Sequence, residues 1–170
     1  MTPVGEAWLR PFDAEVRLVL PWLSTAARHL LDSHAALECG WGVASAWVRG
    51  FNFGNLTAGA SWRGAKWTEH DADDEYAPDG SVKRVSQTWR AYSTVPDAIA
   101  DYWAFLGPDC NRGRYVRART ALEAADLPLF SVELFKAGYY TLPAFKYVAR
   151  LSDVSRKVSA TLAPPKESTP

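Results

Sequence analysis

Residues 24–42 have the sequence STAARHLLDSHAALECGWG, and this stretch decides the architecture of the chain. Its apolar residues recur at intervals of three and four, which places them on one face of an α-helix. These residues are Ala27, Leu30, Leu31 and Leu37. Ser24 or Thr25 can cap the amino end of this helix, and Gly40 is a natural stop beyond its carboxyl end. The pattern predicts a helix from Ser24 to Glu38.

Glu38 stands at the carboxyl end of the predicted helix, which is an unfavourable place for a negative charge. The helix macrodipole is negative there, so it raises the pKa of a carboxyl group. The apolar neighbours Leu37 and Trp41 act in the same direction. A carboxyl group that keeps its proton near neutral pH can serve as a general acid. The alternative is an exposed glutamate at a frayed helix end, and the helix pattern alone does not decide between the two.

The segments on either side of this helix predict further elements. Residues 1–12 are expected to form an irregular lead-in. Residues 43–61 are rich in Gly, Asn and Ala, which is typical of a loop with room for one short helix. Residues 62–92 indicate a small antiparallel β-lobe, because residues 82–92 alternate in polarity behind a Pro-Asp-Gly turn at 78–80.

Helical patterns return after the β-lobe. Thr94 and Asp97 form a capping box for the next helix. Later helices are predicted around residues 115–122, from Leu129 to Ala137, and from Pro143 onward.

This order of elements predicts one α+β domain, mainly helical, over residues 13–160. The Pro- and Ser-rich residues 161–170 are expected to be a disordered tail. A cleft between the β-lobe and the helical body is the natural place for a ligand.

The composition excludes several classes of function. The 170 residues include 19 basic and 19 acidic residues, so the formal net charge is zero. A nucleic-acid-binding domain would need clustered positive charge, so no nucleic acid is expected as a partner. No stretch approaches the roughly 20 consecutive apolar residues of a membrane-spanning helix, and no secretory signal peptide is recognisable.

The cysteines, histidines and tryptophans give weaker indications. Cys39 and Cys110 are far apart and predict free thiols, and neither they nor the three histidines show metal-ligand spacing. Neither a metal nor a cofactor is therefore expected. The eight tryptophans suit a groove that stacks on sugar rings, although most of them are expected in the core.

Residues 36–42, Ala-Leu-Glu-Cys-Gly-Trp-Gly, resemble the Ala-Leu-Glu-Ser-Gly-Trp-Gly signature of bacterial cell-wall glucosaminidases of the flagellar, autolysin and phage type. Further motifs follow in the order of that family. They are Asn55-Leu56, Trp62-Arg63-Gly64, Trp89-Arg90-Ala91-Tyr92-Ser93, Ala100-Asp101-Tyr102, Arg114-Tyr115 and Ala137-Gly138-Tyr139-Tyr140-Thr141. The resemblance covers about residues 24–155. It implies a lysozyme-like fold, hydrolysis of the bond that follows N-acetylglucosamine in peptidoglycan, and Glu38 as the proton donor.

The resemblance also implies a second acidic residue in the β-lobe, as base or stabiliser. Glu75 is the best match, with Asp74 where the family has Thr. Glu69 is a second possibility, and Asp71 and Asp73 crowd the same stretch. The alternative is that this acidic run is a solvated hairpin loop.

Two routes can follow protonation of the glycosidic oxygen. Water activated by a distant carboxylate can attack the sugar, or the N-acetyl group of the sugar itself can attack. In the second route Tyr139 would orient the acetamido group. Gly138 ends the preceding helix and can thereby aim the side chain of Tyr139 into the cleft. The residues expected to bind substrate are Trp41, Asn55, Trp62, Glu69, Tyr92, Asp101 and Tyr140. Core packing is the alternative for both Tyr92 and Tyr139.

Departures from the family pattern leave the bond specificity open. Cys39 replaces a serine, residues 57–59 replace a Phe-Gly-x-Lys loop, and Tyr140 and Leu142 replace Ala and Asp.

The alternative functions are a muramidase or lytic transglycosylase, or a non-catalytic peptidoglycan-binding module of a phage tail or injection machine. The expected setting is synthesis in the cytoplasm without a signal peptide, and action at the cell wall or periplasm. Delivery within a virion or secretion device, alongside the other subunits of that device, would fit both the missing signal peptide and the place of action.

Overall fold

The computed structural model describes residues 3–76 and 82–164. Within these residues, a helical body carries one two-stranded sheet. The helices are α1 (Pro3–Val19), α2 (Thr25–Glu38), α3 (Ser45–Gly50), α4 (Val95–Phe105), α5 (Val116–Glu123), α6 (Leu127–Lys136) and α7 (Ala144–Leu162). The strands are β1 (Lys66–Tyr76) and β2 (Val82–Arg90), and a 3₁₀ turn spans Asn111–Gly113. This mainly helical α+β architecture with a small antiparallel lobe confirms the predicted fold class.

The helix α2 lies against α1, α5 and α7 in the helical body. Its predicted cap is present, because the side chain of Ser24 accepts a hydrogen bond from the backbone N–H of Ala27 at 3.1 Å. Ala27 and Ala35 are fully buried, and such small residues let neighbouring helices approach closely. Packing against these helices therefore fixes the position of α2, which carries Glu38 at its carboxyl end.

The first helix corrects the prediction of an irregular lead-in over residues 1–12. Helix α1 begins at Pro3 and buries Leu9, Phe12 and Val16 at helical spacing. Pro11 lies inside the helix, where it removes one backbone donor. Burial of the apolar stripe outweighs that loss, because each fully buried large apolar side chain contributes about 1.5–3 kcal/mol.

The β-lobe pairs β1 and β2 antiparallel, with Lys66 opposite Arg90 and Glu69 opposite Gln87. Hydrogen bonds tie it to the preceding loop: the N–H of Arg90 donates to the carbonyl of Leu56 at 3.0 Å, and that of Ala58 to Thr88 at 2.8 Å. The lobe is therefore anchored beside residues 56–58. The turn predicted at 78–80 lies outside the described residues.

The later helices follow the predictions closely. Thr94 caps α4, accepting from the N–H of Asp97 at 3.2 Å. Helix α7 extends to Leu162, so the predicted boundary at residue 160 is two residues early, and residues 165–170 lie outside the described part. No described helix is long and apolar enough to cross a membrane.

Both cysteines are free, as predicted. Cys39 is buried directly after α2, and its sulfur accepts a hydrogen bond from the N–H of Gly42 at 3.3 Å. Burial raises the pKa of the Cys39 thiol to about 12. Cys110 is half-buried, next to the 3₁₀ turn.

Candidate active site

A cleft of about 350 Å³ opens at the carboxyl end of α2. Its walls come from the loop after α3, from α4 and the 3₁₀ turn, and from the turn that follows α6. The lining residues are Glu38, Gly54, Asn55, Leu56, Thr57, Phe105, Asn111, Arg114, Tyr115, Gly138 and Tyr139. The cleft therefore brings together three residues that the sequence predicted for the site: Glu38, Asn55 and Tyr139.

Each carboxylate oxygen of Glu38 has its own hydrogen-bond donor. The hydroxyl of Tyr147 donates to Oε1 at 2.5 Å, and the amide of Asn55 donates to Oε2 at 3.1 Å. Burial raises the pKa of Glu38, and the hydrogen bonds from Tyr147 and Asn55 oppose that rise. The direction agrees with the sequence-based argument, although the main cause is burial. Because both oxygens are held, Glu38 is not a residue of a frayed helix end.

The loop between α3 and the β-lobe holds Asn55 in place. Asn55 adopts a left-handed conformation with φ 48°, which asparagine tolerates better than most residues. Its amide also donates to the backbone carbonyl of Glu38 at 3.0 Å. Beneath it, the buried side chain of Asn52 donates to the carbonyls of Leu56 at 2.8 Å and Arg90 at 3.0 Å. The loop is therefore fastened to both the helical body and the β-lobe.

The turn after α6 places Tyr139 in the cleft, as the sequence predicted. Gly138 has φ 72°, so it ends the helix in the left-handed conformation that glycine adopts easily. The ring of Tyr139 lies 6.0 Å from that of Tyr115, and its hydroxyl donates to the carbonyl of Gly54. A hydroxyl with its proton committed to Gly54 can still accept a hydrogen bond from a ligand.

A second cluster lies where β2 meets α4, and it contains three predicted substrate-binding residues. The guanidinium of Arg90 lies 4.6 Å from the Trp62 ring and 2.7 Å from Asp101. The hydroxyl of Tyr92 donates to the same carboxylate at 2.6 Å. Burial, followed by the hydrogen bond with Asp101, raises the pKa of Tyr92. The polar groups of Asp101 and Tyr92 are therefore engaged within the protein, and Trp62, Tyr92 and Asp101 do not line the cleft.

Two other predicted residues lie elsewhere. Trp41 packs against Trp8 of α1 with ring centroids 6.5 Å apart, among residues of α1, α2 and α7. Tyr140 stacks on Tyr147 at 3.9 Å and donates to the carbonyl of Ser131 at 2.6 Å. Neither side chain lines the cleft. Trp41 and Tyr140 therefore contribute to packing within the fold.

The acidic candidates of the β-lobe, Glu69 and Glu75, both belong to strand β1. Glu69 is half-buried on β1, opposite Gln87, and does not line the cleft. The backbone of Glu75 lies in β1 opposite Lys83, and its side chain lies outside the described residues. Among the described residues, no group of three or more His, Cys, Asp or Glu side chains is arranged to hold a metal ion.

Sequence reasoning missed the groups behind Glu38. His34 is fully buried, with Tyr147 on one ring nitrogen and Tyr102 on the other. His34 precedes Glu38 by four residues, so both lie on one face of α2, and this spacing was the available signal. Arg114 and Tyr115, quoted only as a motif, line the cleft.

Comparisons with known proteins agree with this geometry. The model of the family Glucosaminidase, described as mannosyl-glycoprotein endo-beta-N-acetylglucosaminidase, matches residues 25–160. Peptidoglycan hydrolase FlgJ of Salmonella typhimurium is 31% identical over 147 residues, which cover 81% of this chain and 44% of that protein. The corresponding protein of Escherichia coli (strain K12) is 29% identical over 149 residues, with the same coverage. The chain thus spans less than half the length of these relatives.

Solved structures show the same fold. A C-terminally truncated glycoside hydrolase domain of Salmonella typhimurium FlgJ has a TM-score of 0.63 at 27% identity, covering 92% of this chain and 98% of that one. A mutant peptidoglycan hydrolase from Sphingomonas sp. A1 has a TM-score of 0.65 at 28% identity, covering 88% and 97%. The catalytic domain of the Listeria monocytogenes autolysin Auto, at 12% identity and a TM-score of 0.69 over 95% and 88%, shares the fold. The chain therefore belongs to the glucosaminidase family of glycoside hydrolases.

Proposed function

We propose that this chain hydrolyses the glycan strands of peptidoglycan, cutting the bond after N-acetylglucosamine with Glu38 as the general acid. One observation carries the proposal: Glu38 lies in the cleft, and burial raises its pKa while two donors hold its carboxyl group. An acid of this kind keeps its proton closer to neutral pH than an exposed glutamate does. The peptidoglycan hydrolases among its relatives support the choice of substrate.

The reaction begins when Glu38 gives its proton to the glycosidic oxygen. The bond from that oxygen to the sugar carbon breaks, its electron pair stays on the oxygen, and positive charge develops on the sugar ring. Either water or the acetamido oxygen of the sugar then attacks the carbon. Because Tyr139 lines the same cleft as Glu38, we assign it the role of orienting the acetamido group. Glu75, with Glu69 second, is the candidate base for the route through water.

The mouth of the cleft contributes a positive charge. The Arg114 guanidinium is exposed and lies close to Gly138, where a Cβ atom would be 3.0 Å from Nη2. A cation here can hold a carbonyl or carboxylate of the muramyl side of the strand. Asn55, which donates to Glu38, keeps the acid aligned with the bound sugar.

The cell wall or periplasm is the proposed place of action, and a virion or secretion device the proposed carrier. The peptidoglycan hydrolases among its relatives support the place of action, because their substrate lies there.

The test compares parent and Glu38→Gln protein on purified cell walls. Glu38→Gln keeps the shape of the side chain but removes its acid, so clearing of wall turbidity should fall by about 100-fold or more. Glu123→Gln, a surface change in an ion pair with Arg119, is the matched control and should clear walls like the parent. Clearing by Glu38→Gln at the parental rate would overturn the assignment.

Mass spectrometry of the released fragments decides which bond is cut. Reducing-end N-acetylglucosamine supports the proposal. Reducing-end N-acetylmuramic acid would indicate a muramidase, and anhydro-muramic ends a lytic transglycosylase. Binding to walls without any new reducing ends would indicate a non-catalytic module.

A further inference from the structure

A chain of hydrogen-bonding groups runs from Glu38 into the core. The hydroxyl of Tyr147 bonds Oε1 of Glu38 and lies 3.0 Å from Nδ1 of His34. Nε2 of His34 lies 2.7 Å from the hydroxyl of Tyr102. The imidazole is fully buried, and the ring of Phe130 packs against it with centroids 5.2 Å apart. Three elements, α2, α4 and α7, contribute to this chain.

The chain has one direction when Glu38 is ionised. A carboxylate only accepts hydrogen bonds, so the single hydroxyl proton of Tyr147 must point to Glu38. The hydroxyl oxygen of Tyr147 must then accept from His34, which places a proton on Nδ1. A neutral imidazole has one N–H, so its Nε2 accepts from the hydroxyl of Tyr102. Burial lowers the pKa of His34 to about 3, which keeps the ring neutral.

The two oxygens of Glu38 therefore differ. Oε1 faces Tyr147, which does not line the cleft. Oε2 is bonded by Asn55, which does. A proton on Oε2 can reach a ligand in the cleft, whereas a proton on Oε1 points to Tyr147.

We propose that His34 is a positioning residue that turns the Tyr147 hydroxyl toward Oε1, so that the acid proton of Glu38 resides on Oε2. The inference rests on the proposed role of Glu38 as general acid. When the Oε2 proton passes to the glycosidic oxygen, the carbon–oxygen bond breaks and its electron pair stays on that oxygen. The carboxylate that remains is stabilised by donors on both oxygens, and such charge-assisted hydrogen bonds are the strong ones.

Removal of His34 would free the Tyr147 hydroxyl to rotate. The Tyr147 oxygen could then accept a hydrogen bond from a proton held on Oε1. A fraction of the enzyme molecules would carry the acid proton on Oε1 instead of Oε2. The expected effect is a fall in kcat with little change in KM, because substrate contacts in the cleft are untouched.

The pH profile of activity distinguishes a positioning role of His34 from a general loosening of the core on its removal. The titratable groups around Glu38 are Cys39, Tyr102, Tyr139, Tyr140 and Tyr147, with Arg114 at the cleft. Burial raises the pKa of the thiol and of each tyrosine, so these groups stay protonated near neutral pH. Loss of the Nδ1 donor weakens the Tyr147 bond to the carboxylate, which raises the pKa of Glu38. Loosening would instead admit water and lower that pKa.

The experiment measures kcat, KM and the pH profile of His34→Phe, His34→Gln and the control His29→Phe, which changes a histidine elsewhere on α2. For His34→Phe we expect kcat to fall about tenfold, KM to change less than about twofold, and the basic limb to move to higher pH. Glutamine offers a donor and an acceptor, so His34→Gln should recover most of the loss. His29→Phe should match the parent. A basic limb of His34→Phe that stays or moves to lower pH overturns the proposal, as does a Gln variant as slow as the Phe variant.

Nitrogen-15 NMR of the imidazole tests the same point without changing His34. His29→Phe and His70→Phe variants assign the signals. A neutral ring with its proton on Nδ1 at pH 6 to 8 supports the proposal, and a proton on Nε2 or a charged ring overturns it. If Glu38→Gln retains full activity, the general acid itself is wrongly assigned. If Glu38→Gln is inactive while His34→Phe behaves like the parent, only the role of His34 fails.

Discussion

Gly54 shows how a single residue without a side chain can control the cleft. A Cβ atom at this position would lie 2.6 Å from Cδ2 of Tyr102 and 3.2 Å from the hydroxyl oxygen of Tyr139. Its carbonyl accepts the hydroxyl of Tyr139. Gly54 therefore lets the loop that carries Asn55 lie directly on the two tyrosines.

Gly54→Ala should lower kcat about tenfold or more, because the added methyl group pushes the loop and Asn55 away from Glu38, and about 1.4 kcal/mol corresponds to a factor of ten. The Tm should fall as well, since overpacking typically costs about 1–3 kcal/mol. Gly59→Ala is the matched control, because a Cβ atom there meets nothing within 4 Å. Equal activity of the two variants would show that the loop tolerates the displacement.

At the residue scale, the sequence predicted the residues that meet in the cleft better than the residues around them. Glu38, Asn55 and Tyr139 were predicted and lie together in the cleft. Tyr147 was missed because its contact with Glu38 joins residues 109 positions apart, which no local pattern reveals. Trp41 and Tyr140 were assigned to substrate because their motifs flank the acid and Tyr139, but packing directs their rings elsewhere.

At the scale of elements, α1 is the helix that sequence reasoning did not predict. Pro3 and Pro11 weaken the local sequence signal for a helix, although Leu9, Phe12 and Val16 keep the spacing of a buried face. The helix also lies outside residues 25–160, where the family model matches. Its stability comes from tertiary packing, which outweighs local propensity. The capped helices α2 and α4 were predicted because their signals are local.

Leu9→Ala should destabilise the protein by about 2–5 kcal/mol, because it leaves a cavity where a fully buried side chain packs. Leu18→Ala, at a residue of the same helix that is 72% exposed, should change the free energy of unfolding by less than about 0.5 kcal/mol. Urea unfolding of both variants measures the difference. Similar values for the two would mean that α1 is not part of the folded core.

At the scale of the whole molecule, two buried carboxyl groups, one on α1 and one on α2, lie close enough to influence each other. Asp32 of α2 is fully buried, and Asp13 of α1 is nearly so. Burial first, then the charge of Asp13, raise the pKa of Asp32 well above its ordinary value, while Arg28 opposes the shift. Neither oxygen of Asp32 has a hydrogen-bond partner among the described residues, so no hydrogen bond compensates for burying its negative charge. The folded state thus binds a proton that the unfolded chain releases near pH 4.

The stability of the domain should therefore fall as the pH rises. Because the folded pKa of Asp32 is raised, its favourable contribution is complete below the unfolded pKa and is lost as the pH climbs through the folded pKa. Asp32→Asn mimics the protonated form, so its advantage over the parent should grow from pH 5 to pH 8, reaching about 2–4 °C in Tm, or about 1 kcal/mol. Asp153→Asn, on the exposed face of α7, is the control and should show no such trend. An Asp32→Asn variant that loses stability at pH 8 would show that the carboxylate is needed in its charged form.

The contrast between the two thiols has a practical consequence. Reagents such as maleimides attack the thiolate, so Cys39, with its high pKa and buried sulfur, resists them. Cys110 is only half-buried, so it is more exposed than Cys39, and it directly precedes Asn111 at the cleft. A fluorescent dye added to the unaltered protein should therefore label one position only. That label would sit beside the cleft, where its emission could report the arrival and departure of the glycan that we propose as substrate.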